Sequence, residues 1–265
     1  MSDGALAARL AGLRAARRTA LVPYVTAGFP DPAQTTAFLR GAEAAGADVV
    51  ELGVPWSDPV ADGPTIQAST HAALRGGTTL ARTLALLADA RPRVPVVVFT
   101  YLNPVLARGA ARFAAEAKAA GASGLLVTDL PVGADEAVER DLGSGGLPLV
   151  RLVAPTTPPA RRRLIAERSQ AFLYLIARLG VTGESGALSG LLGEQVASLR
   201  AVSDLPVAVG FGISSPAQAA EAGALADGVV IGSAVVARMA HGGAAEALAW
   251  LGTVRAALDA RRPRA

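Results

Sequence analysis

The sequence predicts an α/β fold, a closed (β/α)8 (TIM) barrel, and three observations carry that expectation. Eight short apolar runs recur along the 265 residues, each followed by a Gly/Pro/Asp turn and an Ala-rich helical stretch. Strands alternating with helices pair in parallel through helical crossovers. The runs are almost continuously apolar, as strands covered on both faces must be, and eight such units in about 250 residues match the usual size of this barrel. An open doubly wound sheet is the alternative arrangement of the same units.

The strand candidates are 21–26, 48–53, 94–101, 123–129, 147–154, 172–177, 205–210 and 227–232. Helix candidates lie between them at 32–43, 64–74, 79–89, 110–120, 134–141, 158–167, 190–202, 216–222 and 235–260. Several open with Pro in the first turn, where its missing N–H costs nothing. The segment ALAARLAGLRAARR is amphipathic, and 1–18 reads as an extra N-terminal surface helix that caps the domain. No shift in composition divides the chain, so one barrel domain is expected over 1–265, with a frayed basic tail at 261–265. The stretch 179–188 is rich in Gly, Ser and Thr and reads as a mobile loop.

Composition excludes several kinds of chemistry. The chain has no cysteine, which removes disulfides, thiol catalysis and a Cys-ligated zinc, and fits a reducing cytoplasm. Its two histidines, His71 and His241, have no ligand-like spacing, so no metal site is expected. The net charge is +3, and the basic residues are nearly all Arg, with Lys118 the single lysine. The Arg clusters at 17–18, 161–163 and 261–264 are short and read as solvated helix faces and a terminus. A nucleic-acid surface needs a sustained basic stripe with interleaved aromatics, and none is present. No apolar run reaches the ~18 residues of a membrane span.

In such barrels the chemistry sits where strands end and the loops to the following helices begin. The polar residues there are Tyr24 and Thr26, Glu51, Thr100 with Tyr101 and Asn103, Asp129, and Arg178 followed by GVTG. The last two strands end in GFGIS and IGSAVV. Barrels often bind phosphate at these two loops and the following helix N-terminus. Gly210, Gly212, Gly232 and Ser233 fall there, and Gly183 in the 179–188 loop extends the cradle. GFGISS lacks the third Gly of a dinucleotide fingerprint and opens no βαβ unit.

The acids cluster in ELGVPWSDPVADGPTIQ, 51–67. Glu51 ends an apolar strand; if it faces the barrel mouth, desolvation raises its pKa toward neutrality, which suits a proton shuttle. Asp62 is either a cap for the helix that starts near Pro64 or a second carboxylate of the site. Asp58, before Pro59, shapes a turn unless it too belongs to the site. Paired carboxylates across the mouth from a phosphate cradle point to acid–base chemistry on a phosphorylated substrate.

The run ELGVPWSDPVADGPTIQAS resembles the signature of the tryptophan synthase alpha chain family. The likeness continues through PYVTAGFPDP, the Tyr101-x-Asn103-Pro104 turn, VTDLP, GVTG, GFGIS and IGSAVV, in the family order and over nearly the whole chain. This resemblance implies retro-aldol cleavage of indole-3-glycerol phosphate to indole and glyceraldehyde 3-phosphate. It implies Glu51 as the proton donor and acceptor, Asp62 as the carboxylate that binds the indole N–H, and Tyr174 as a supporting group. Gly183, Gly212, Gly232 and Ser233 match the phosphate binders, and Tyr24, Phe211 and Thr100 wall the indole pocket. Pro55, Asp58, Arg178 and Thr182 fall on partner-facing and lid loops, with Asp58 approaching the Thr182 region on closure. The family works with a beta chain, expected here as an alpha2-beta2 heterotetramer. That partner carries pyridoxal phosphate, while this chain needs no cofactor. A free-standing lyase, a weakly catalytic docking module and another sugar-phosphate barrel enzyme are the rival readings. Trp56, Ala177 and Leu179 depart from the common family pattern.

Overall fold

The structure is a computed structural model, and it describes residues 4–176, 185–210 and 212–261, the side chains of 185–190 excepted. In chain order its elements are α1 (Ala5–Ala15), β1 (Ala20–Thr26), α2 (Pro32–Gly41), β2 (Val50–Gly53), α3 (Pro64–Arg75), α4 (Leu80–Ala90), β3 (Val96–Thr100), α5 (Leu102–Arg108), α6 (Ala110–Ala119), β4 (Gly124–Val127), α7 (Glu136–Ser144), β5 (Arg151–Val153), α8 (Pro159–Arg168), β6 (Leu173–Ile176), α9 (Ser185–Arg200), β7 (Val207–Gly210), α10 (Pro216–Gly223), β8 (Gly228–Ile231) and α11 (Ser233–Ala260). All strand pairings are parallel, and the order runs β4-β3-β2-β1-β8-β7-β6-β5. A bridge between Leu125 and Leu149 joins the two ends. Neighbours in sequence are neighbours in the sheet all the way round, which is a barrel and excludes the doubly wound order.

The strands divide their side chains between two cores, as the two-residue period requires. One core lies between strands and helices and takes Val50, Leu52, Val96 and Val98. The other fills the barrel and takes Val22, Tyr24, Val49, Val97, Leu126, Phe172 and Tyr174. Leu6, Leu10 and Leu13 of α1 belong to the inner core and are buried, so α1 is a plug in the barrel floor more than a surface helix. Leu6 packs over Gly124 at the start of β4, where a Cβ would come within 2.8 Å of its methyl group.

Asp48, fully buried just before β2, fixes that plug. Its carboxylate takes Arg9 at 2.8 Å, Arg18 at 2.6 Å, Arg255 at 3.4 Å and the Leu21 N–H at 3.0 Å. The arginines come from α1, the turn after it and α11. Arg161 donates to the Val132 carbonyl and Arg162 to Ser198, so with Arg18 on Asp48 the clusters at 17–18 and 161–163 are tied into the fold.

Three elements differ from the sequence reading. Helix α5 occupies what reads as a simple turn; its first N–H, on Leu102, is capped by Asp129 Oδ1 at 2.6 Å, from 27 residues away. Strand β5 is short because Pro148 has no N–H to give and the Leu149 N–H goes to Gln170 Oε1 at 2.9 Å. Helix α9 begins at Ser185, so 185–188 are helical where a loop is expected; the remaining loop positions, 179–184, lie outside the described residues.

Candidate active site

Glu51 stands on the inward-facing parity of β2, two residues after Val49 and between Tyr24 of β1 and Val97 of β3 in register. Its exposure is 1%, and Oε1 has no hydrogen-bond partner among the described residues. Burial pushes its pKa up to about 8. A carboxyl left both dry and unpaired holds its proton at neutral pH.

Two tyrosines share this end of the barrel. The Tyr24 hydroxyl lies over Gly53, where a Cβ would be 2.0 Å away, and the Tyr174 hydroxyl lies over Gly210, where it would be 2.2 Å away. These glycines serve by giving room, so Gly210 belongs to Tyr174 and not to an anion cradle. Burial drives both phenols far above their ordinary range, and the neighbouring Glu51 and Asp62 add to it. Tyr24 also meets Phe99 edge to face, with ring centroids 5.4 Å apart.

Asp62 closes the loop after β2. The N-cap of α3 is Gly63, so Asp62 does not cap the helix. Its backbone carbonyl accepts from Gln67 Nε2 at 2.9 Å, while its carboxyl interacts with the neighbouring Tyr101 hydroxyl. That hydroxyl also accepts the Ala61 N–H at 3.0 Å. Burial raises the Asp62 pKa to about 6, against the Tyr101 interaction, which lowers it. Asp58 is exposed, and its carbonyl accepts the Val60 N–H at 2.9 Å in a turn. Pro55 is buried at the foot of this loop and Trp56 half-buried beside it. Asp129 is spent on capping α5.

A cavity of about 320 Å³ joins these groups. Glu51, Asp62, Tyr24, Phe99 and Tyr174 line one part, and Gly212, Ser214, Gly232 and Ser233 another. Gly212 has φ +83°, a left-handed conformation that suits glycine. Gly232 precedes α11, and its carbonyl takes the N–H groups of Val235 and Val236. The N–H groups of Ser233 and Ala234 have no partner inside the helix, and with the helix dipole they favour an anion. Thr100 is not on the cavity: Phe99 faces inward, so Thr100 points to the opposite face, buried, with its hydroxyl on the Tyr101 carbonyl at 3.3 Å. Phe211, Arg178, Thr182 and Gly183 lie outside the described residues. Sequence reading missed Thr128, Leu152, Ile66 and Ser214 as lining residues; Thr128 follows the inward Leu126 by two and was open to that count.

No group of three or more His, Asp or Glu among the described residues is arranged to hold a metal ion. No helix among them is long and apolar enough to cross a membrane. A barrel that sets a protonated carboxyl and a second acid around an apolar cavity, with a helix N-terminus at its rim, is of the (β/α)8 enzyme class. The tryptophan synthase alpha chain family model matches residues 10–255. Curated alpha chains of Picosynechococcus and Gloeobacter violaceus are each 47% identical, over 91% and 94% of this chain and 92% of each relative. The solved alpha subunit of Legionella pneumophila superposes with a TM-score of 0.89 at 33% identity, covering 96% of this chain and 98% of that one. A tryptophan synthase structure from M. tuberculosis gives 0.85 at 38%, with coverage of 96% and 98%. This chain belongs to the tryptophan synthase alpha chain family.

Proposed function

We propose that this chain cleaves indole-3-glycerol phosphate to indole and glyceraldehyde 3-phosphate. The observation that carries the reading is Glu51, a buried carboxyl with an unpaired oxygen and a pKa near 8, sharing an apolar cavity with Asp62. Protonated Glu51 gives its proton to indole C3. The positive charge that develops on the ring is met by the Asp62 carboxylate at the indole N–H. Glu51, now ionised, takes the proton of the C3′ hydroxyl. The C3–C3′ bond breaks, its electron pair returns to the ring, the aldehyde forms, and Glu51 is protonated again. Tyr174 shapes the wall beside the reacting carbon.

Gly212, Gly232 and Ser233 hold the phosphate, with the first turn of α11 supplying N–H donors. Gly183 is assigned to the same cradle on resemblance. Tyr24 and Phe99 enclose the indole; Phe99 takes the place expected for Thr100, and Phe211 remains an assignment by resemblance.

The same reading gives the chain a beta-chain partner in an alpha2-beta2 assembly, with pyridoxal phosphate on the partner. The loop carrying Pro55 and Asp58 and the segment with Arg178 and Thr182 face that partner or close the site. A cytoplasmic location and a single barrel domain over 1–265 complete the proposal. The test is indole release from indole-3-glycerol phosphate by the pure chain, with and without a beta chain. Release that quickens in its presence supports the reading. Equal, rapid release alone favours a free-standing lyase, and no release under either condition overturns the assignment.

A further inference from the structure

A buried pair of hydroxyls crosses from β1 to α3 beside the site. Thr26 Oγ1 and Ser69 Oγ are 2.7 Å apart, and both residues are buried. Ser69 gives its proton to the Ile66 carbonyl at 2.8 Å, so Thr26 supplies the proton between the two hydroxyls. The Tyr24 hydroxyl lies 3.4 Å from Thr26 Oγ1.

Each end of this link sits on an element that adjoins an acid of the site. On the β1 side, Tyr24 is in register with Glu51 and Thr26 with Gly53, so β1 and the Glu51 strand are one hydrogen-bonded unit. On the α3 side, Ile66 lines the cavity, and Gln67 holds the Asp62 carbonyl through Nε2. A serine bonding back to its own helix is ordinary. A tertiary partner 43 residues away, buried between β1, the neighbour of the Glu51 strand, and α3, which follows the Asp62 loop, is not explained by that local habit.

We propose that the Thr26–Ser69 hydroxyl pair is a positioning device that sets Asp62 against Glu51. This rests on the reading that both acids act on indole-3-glycerol phosphate. Misplacement by a fraction of an ångström at such a site costs about tenfold or more in rate.

Thr26→Val, Ser69→Ala and the double variant test it, with Thr26→Ser as the conservative control. Each single change lowers kcat for indole release about tenfold, with KM within about twofold. The double is no slower than the worse single, because both cut one link. Thr26→Ser retains the wild-type kcat. Rates of Thr26→Val and Ser69→Ala within twofold of wild type, or losses that add in the double, overturn the proposal. The Asp62 carboxyl, followed by ¹³C NMR titration, gives a readout free of turnover: it titrates lower in Thr26→Val as α3 loosens and water reaches it. An unchanged titration overturns the proposal as well. Failure of the wild-type chain to release indole counts against the functional reading alone, since the titration still judges the link.

Discussion

The Tyr101 hydroxyl accepts the Ala61 N–H at 3.0 Å, and its interaction with the neighbouring Asp62 carboxyl lowers the pKa of that acid. One phenol thus ties the loop through Ala61 and acts on the acid next to it. The interaction favours ionised Asp62 and opposes the desolvation that raises its pKa to about 6. Tyr101→Phe removes that support, so Asp62 ionises only at higher pH. Because the carboxylate form meets the indole N–H, the acid limb of kcat/KM moves up, and activity at pH 6.5 falls about tenfold. A pH profile with its acid limb unmoved would show that Tyr101 serves only to pack the loop.

Asp62→Asn keeps the shape and loses the charge. Removing a preorganised electrostatic group costs about 10²-fold or more in kcat. The acid limb near pH 6 should vanish with it, since the group that titrates there is gone. Steady-state rates of indole release between pH 5.5 and 8 check both points. Wild-type turnover in Asp62→Asn would favour a sugar-phosphate enzyme with no indole contact.

Glu51→Gln leaves no group to carry the proton, and the expected loss is about 10³-fold or more. The same change alters stability in a pH-dependent way. The Glu51 pKa rises from the ordinary 4.5 to about 8 on folding, so across that window the folded state binds more protons than the unfolded one. The wild-type fold therefore loses stability as pH climbs from 4.5 to 8, and a neutral amide does not. Glu51→Gln and wild type should melt alike near pH 4.5, and the variant should be more stable by a few kcal/mol at pH 8.5. Thermal unfolding at the two pH values is the check; a gap that does not widen with pH contradicts the buried, proton-holding Glu51.

Much of this is legible in the amino-acid sequence. Eight apolar runs with turns and helices between them define the barrel because parallel strands covered on both faces leave few other arrangements. Glu51, Asp62, Tyr174, Gly212, Gly232 and Ser233 gather around one cavity because each sits at a strand end or in the loop that follows. What escaped depends on partners distant in sequence. Asp129 caps α5 from 27 residues away, and Gln170 takes the N–H that would have lengthened β5. Thr100 was misplaced for another reason. In VVVFTY every residue is strand-compatible, so the pattern does not say whether Phe99 or Thr100 faces inward, and one residue decides the face.

The opposite end of the barrel offers a test of the fold apart from the chemistry. Asp48 is fully buried and meets Arg9, Arg18 and Arg255. Arg255 is itself 7% exposed, so its charge depends on Asp48, Asp259 and the Thr19 carbonyl for compensation. Asp48→Asn leaves three guanidinium groups facing a neutral amide and weakens the hold of α1 and α11 on the floor. Breaking a buried pair from one side costs about 3–5 kcal/mol. Arg9 has a side chain 40% exposed, and a partly solvated pair is worth about 1 kcal/mol or less, so Arg9→Ala should be mild. Urea unfolding midpoints should rank wild type and Arg9→Ala close together and Asp48→Asn far below. The reverse order would mean that α1 is held by Leu6, Leu10 and Leu13 alone, with the arginines merely solvated around a carboxylate that the floor does not need.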